Sequence, residues 1–147
     1  MSVEVGRQFV DTNVLVYAHD ATAGDKHLRA RQLMADLWAE GNGCLSVQVL
    51  QEFYVTVTRK VRQPLALEVA RQQVEDLGQW LAHSPTVKDV VEAIHLQQRA
   101  RISFWDAMLL ISAQKLNCGV LWSEDLNPGQ IIGGVTIQNP FAALPAK

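Results

Sequence analysis

The stretch Gln8-Phe9-Val10-Asp11-Thr12-Asn13-Val14-Leu15-Val16 constrains the fold more than any other. An apolar β-type run stops at a carboxylate, and the chain passes at once into a helical apolar pattern led by Val14, Leu15 and Ala18, with Thr12 as the expected N-cap. A strand feeding directly into a helix is the opening of a βαβ unit, and open α/β sheets bind ligands just beyond the carboxyl ends of their strands. Asp11 sits at such an end. If Asp11 is a ligand for a divalent metal ion, the chain must supply further carboxylates that gather at the same place.

Met1 to Gly6 read as a lead-in, and Asp20 to Asp25 as a polar connection containing Gly24. Ala30, Leu33, Met34, Leu37 and Trp38 recur at helical spacing, and Gly41-Asn42-Gly43 closes that helix. Cys44-Leu45-Ser46 is a buried strand, and Ser46 caps a helix from Val47 to about Lys60. After Pro64, a stripe of Leu67, Ala70, Val74, Leu77 and Leu81 predicts another helix. Ser84-Pro85-Thr86-Val87 breaks it, with room for a short edge strand, where proline is tolerated. Thr86 and Asp89 form a capping-box pattern ahead of a helix carrying Val90, Val91 and Ile94. Ser103 caps a helix from Phe104 to about Leu116. Cys118 to Trp122 is the second buried strand, Ser123 to Gln130 a turn-rich loop, Val135 to Gln138 a last strand, and Asn139-Pro140-Phe141 begins a tail. Strands alternating with helices predict an α/β fold of three α/β/α layers with a central, mostly parallel sheet, as one domain over 1–147.

Three more acids stand where free charges are not expected. Glu52 lies in a helix with apolar residues on most sides, and Gln48, Glu52 and Thr56 make a narrow polar stripe that faces either a site or bulk solvent. Ser103 and Asp106 fit a capping box, as do Thr86 and Asp89. Asp106 differs in sharing its helical face with Leu109, Leu110 and Ala113, so it is expected to point inward, whereas Asp89 is assigned no function. Asp125 follows the strand Val120-Leu121-Trp122 and repeats the placement of Asp11; its neighbour Glu124 competes for the role, and a turn aspartate before Asn127-Pro128-Gly129, a common placement, is the alternative. Clustered carboxylates repel one another without cations, and hard oxygen donors favour Mg2+ or Mn2+.

Other chemistries find less support. His19, His27, His83 and His95 show no metal-ligand spacing and read as surface or packing residues, and Cys44 and Cys118 as small buried thiols. No apolar run reaches the ~20 residues of a membrane span and no secretory leader is visible, so cytoplasmic residence is the expectation. The formal charge of -2 speaks against a nucleic-acid binder, but four acids set aside as ligands leave 11 against 13 basic residues.

In their order and context, Phe9-Val10-Asp11-Thr12-Asn13, Gln51-Glu52-Phe53, Trp105-Asp106-Ala107, Trp122-Ser123-Glu124-Asp125-Leu126 and the tail Ile137-Gln138-Asn139-Pro140-Phe141 make the chain resemble the PIN-domain ribonucleases, especially the VapC-type toxins of toxin–antitoxin pairs. The resemblance implies an Mg2+- or Mn2+-dependent endoribonuclease with Asp11, Glu52, Asp106 and Asp125 as its acidic quartet and Asn13 and Ser123 as supporting polar residues. It also implies a homodimer and a small antitoxin whose tail covers the acidic groove. Asn127 stands where some relatives carry a further acid, which leaves one or two ions open. Arg59, Lys60 and Arg62 are the favoured RNA contacts, ahead of Lys26, Arg29 and Arg31 or Arg99 and Arg101. The alternatives are a PIN-domain nuclease that is not a toxin, a haloacid-dehalogenase-type phosphatase with Asp11 as nucleophile, for which Asn13 replaces an expected acid, and a catalytically silent binding module.

Overall fold

The computed structural model describes residues 6–144, so most of the expected lead-in lies outside the described residues. β1 (Gln8–Val10), α1 (Thr12–His19), α2 (Asp25–Glu40), β2 (Gly43–Ser46), α3 (Val47–Arg59), α4 (Leu67–Leu77), β3 (Leu81–His83), α5 (Val87–Ala100), α6 (Phe104–Lys115), β4 (Val120–Trp122), β5 (Ile131–Ile132) and β6 (Val135–Gln138) follow in order, with a short 3-10 turn at Ala21–Ala23. The sheet runs β3-β2-β1-β4-β6-β5 and is parallel except for the β5–β6 hairpin. Gly133 and Gly134, both at positive φ, make the two-residue turn that hairpin needs.

β1 is central. The chain winds outward from it through β2 to β3, then returns through α5 and α6 to lay β4 on its other side. The winding therefore reverses between β1 and β4, and a crevice opens at that switch point beyond their carboxyl ends. α1 packs on α2 and α3, α3 on α4, and α5 on α6, which also meets β2, β4 and β6; these groups give the three-layer α/β/α arrangement. Phe9, Leu15, Leu45, Phe53, Leu110 and Leu121 are among the side chains fully withdrawn into the core between the layers. Cys44 and Cys118 are both buried free thiols.

Four expectations need correction. Asp11, not Thr12, caps α1: its backbone is extended and its Oδ1 accepts the Thr12 N–H at 2.6 Å. α4 stops at Leu77, because Gly78 caps it and Leu81 opens β3, where it pairs with Cys44. The edge strand is thus β3, upstream of Ser84-Pro85. On α5 the buried face is Asp89, Ala93 and Leu96, while Val91 and Ile94 are exposed. β5, only two residues long and formed by its pairing with β6, lies beyond the expected strands.

The Thr86–Asp89 capping box closes in both directions, and Asp89 also faces His83 at 3.2 Å and Lys115 at 3.8 Å. The Thr86 N–H, helped by the Lys115 charge, holds the Asp89 carboxyl below the usual range. Thr86→Ala removes one reciprocal bond, so urea unfolding should show a loss of about 1 kcal/mol.

Candidate active site

Each acid reaches the crevice for a local reason. Asp11 ends β1, where its N–H still follows the ladder to the Trp122 carbonyl at 3.0 Å. The N-cap geometry then turns its carboxylate across the strand ends. The fully buried Ser123, first residue after β4, donates to Asp11 Oδ2 at 2.8 Å and accepts the Asp125 N–H at 3.2 Å. One hydroxyl therefore couples the two strand-end acids. Asn13, in the first turn of α1, donates to Asp125 Oδ2 at 2.9 Å.

Glu52 comes from α3. That helix buries only Val49, Phe53 and Val57, so Glu52 is exposed to the crevice rather than sunk in a largely buried helix. Both of its oxygens are held, Oε2 by the Thr12 hydroxyl and Oε1 by the Gln48 amide, each at 2.9 Å. Asp106 lies in the first turn of α6. The Ser103 hydroxyl accepts its N–H at 3.0 Å, but the return half of a capping box, present at Asp89, is not formed. The half-buried Asp106 carboxylate faces the crevice instead.

A crevice of about 500 Å³ brings Asp11, Glu52, Asp106 and Asp125 together with Asn13, Gln48 and Thr56. Lys60 and Arg62 also line it; Arg59 does not. Glu124 is drawn away, accepting from the Tyr17 hydroxyl at 2.9 Å and pairing with Lys26 at 2.5 Å. Lys26 is thereby committed, and Arg29 sits over the Trp122 ring at 6.0 Å. Thr12, Tyr17, Asp20 and Trp105 complete parts of the lining and were not assigned from sequence. Thr12 and Tyr17 carried a usable signal, since both follow Asp11 on the helix that starts at the strand end.

Asp11 is only 6% exposed, and burial pushes its carboxyl up from 3.8 to about 6, against the hydrogen bonds from Ser123 and Thr12, with Asp125 and Asp106 adding negative charge. Among the described residues no three His, Cys, Asp or Glu side chains converge closely enough to hold an ion together. Asn13 Oδ1 is buried with no hydrogen-bond partner among the described residues, a further hard oxygen beside the acids. Such a spread donor set fits an ion that retains several of its waters and takes one or two carboxylates, as Mg2+ does.

The sequence matches the family described as PIN domain over residues 9–131, which takes in β1 through the start of β5 and all four acids. The chain belongs to the PIN-domain family. Its fold is shared with a toxin–antitoxin complex from Klebsiella pneumoniae, at 18% identity and a TM-score of 0.65 over 90% of this chain and 97% of that one. It is likewise similar to VapC20 of Mycobacterium tuberculosis, a toxin that cleaves the sarcin–ricin loop, at 19% identity and a TM-score of 0.59 over 78% of this chain and 86% of that one. No curated protein matches the sequence. Within this PIN domain no described helix is long and apolar enough to cross a membrane.

Proposed function

We propose that this PIN-domain chain is a divalent-metal-dependent endoribonuclease, folded as one domain over 1–147, and the toxin of a toxin–antitoxin pair. The observation that carries the reading is the convergence of Asp11, Glu52, Asp106 and Asp125, from four separate elements, on one crevice at the switch point of the sheet. That the same fold occurs in a toxin–antitoxin complex and in a toxin that cleaves the sarcin–ricin loop supports it. One or two of these carboxylates would hold a hydrated Mg2+ or Mn2+, which would supply a more acidic water and stabilise charge on the phosphate oxygens.

The chain's own residues prepare that site. Ser123 and Asn13 fix the directions of the Asp11 and Asp125 carboxylates, and Thr12 with Gln48 fixes Glu52. Lys60 and Arg62 offset the acids and hold the RNA backbone, with Arg59 just outside the crevice as a further contact. A small antitoxin covering the groove, a homodimer and a cytoplasmic setting complete the proposal. The phosphatase reading is weaker, because both Asp11 oxygens accept hydrogen bonds within a buried site and Asn13 is engaged with Asp125.

Purified protein should cut single-stranded RNA with Mg2+ or Mn2+, stop in EDTA, and resume when the ion is restored. Cleavage unaffected by EDTA overturns the mechanism.

A further inference from the structure

Four tryptophans occur in the chain, and three are accounted for by packing or hydrogen bonding. Trp38 and Trp80 lie against one another with ring centroids 5.3 Å apart, and Trp122 gives its indole N–H to Gln8 at 2.6 Å. Trp105 is 61% exposed, although tryptophan is mostly buried in folded proteins. It lines the crevice that holds the acids, and it immediately precedes Asp106 in the first turn of α6. The half-buried Phe104 meets its ring edge-on, with centroids 5.1 Å apart and planes at 72°. The indole is therefore braced but largely open to solvent.

We infer that Trp105 is a stacking platform for one unpaired RNA base beside the scissile phosphodiester. The inference rests on the ribonuclease reading and adds a binding subsite to it. Single-stranded nucleic acid is held by cations that track its backbone and by aromatic faces on which bases stack. Lys60 and Arg62 supply the first element in this crevice and Trp105 the second. Because Trp105 and Asp106 line the same crevice, a base stacked on the indole belongs to a nucleotide close to the phosphate that the acids address. Every base presents a π-face, so this subsite grips RNA without choosing among bases.

The test is steady-state cleavage of a single-stranded oligoribonucleotide by the wild type, Trp105→Ala and Trp105→Phe in Mg2+ or Mn2+. Removing the ring should raise KM about tenfold with kcat and thermal stability unchanged, and phenylalanine should recover most of the loss. An oligonucleotide series with one abasic site moved along its length should show one position at which the wild type loses affinity and Trp105→Ala does not. An unchanged KM for Trp105→Ala overturns the subsite, as does an unchanged KM with an altered oligomeric mass, which would make the ring a contact between copies of the chain. Absence of metal-dependent cleavage in the wild type would instead overturn the ribonuclease reading beneath it.

Discussion

Asparagine at position 11 is expected to reduce RNA cleavage on the order of a thousandfold, comparable to losing a central electrostatic group of an active site, while making the protein more stable at neutral pH. The two effects have one cause. Asp11 is buried beside two other acids, and its carboxyl is raised from 3.8 to about 6. The folded chain therefore holds this proton more tightly than the unfolded chain does. Below about pH 3.8 both states are protonated and the group costs nothing. As pH rises towards 6 the unfolded chain ionises first, and stability falls. Above that the full cost is present, roughly 3 kcal/mol before relaxation.

Asparagine removes this charge and can still accept the Ser123 hydroxyl, but its amide nitrogen cannot accept the Thr12 N–H, which returns about 1 kcal/mol. Urea unfolding in EDTA should then show Asp11→Asn pulling ahead of the wild type between about pH 4 and pH 6 and levelling off above. Added Mg2+ should reverse the order, because a ligand that binds only the folded state stabilises it and the variant has lost a ligand. A wild-type-to-variant difference that stays flat across this range would contradict the account.

How much of this was written locally in the sequence differs from residue to residue. Ser46, Thr86 and Ser103 could be read as N-caps because a cap is a hydrogen bond spanning three residues. Asp11 and Thr12 are both good capping types at adjacent positions, so spacing could not choose between them. Leu81 lies four residues beyond Leu77 and mimics the next helical step, yet Gly78 had already ended α4. The exposure of Val91 and Ile94 depends on which face α6 covers, which is a tertiary fact. The site divides in the same way. Topology made the strand-end acids visible, and the Gln48-Glu52-Thr56 spacing made their helical companion visible. The two capping-box patterns look alike in sequence, but one closes on itself in a buried corner and the other leaves Asp106 to the crevice. The choice between Glu124 and Asp125 rests on Tyr17 and Lys26, about a hundred residues away, which claim Glu124.

Ser123→Ala should cut activity by roughly ten- to a hundredfold without touching a carboxylate, the usual effect of losing a partner that orients a metal-binding group. Ser123 is fully buried, and its hydroxyl is the strongest influence holding the Asp11 proton affinity down. Alanine leaves Asp11 Oδ2 without that donor and frees the Asp125 N–H from its acceptor. Asp11 then binds a proton more tightly, and protons compete with the ion for the same oxygens. The acidic limb of the kcat/KM profile should move to higher pH, and more Mg2+ should be needed for half-maximal cleavage at pH 7. Raising the pH should restore part of the activity of Ser123→Ala and none of that of Asp11→Asn, because only the first keeps a carboxylate to ionise. A Ser123→Ala profile parallel to the wild type at every pH, merely lowered, would mean that the hydroxyl serves packing at this strand end and not the charge state of Asp11.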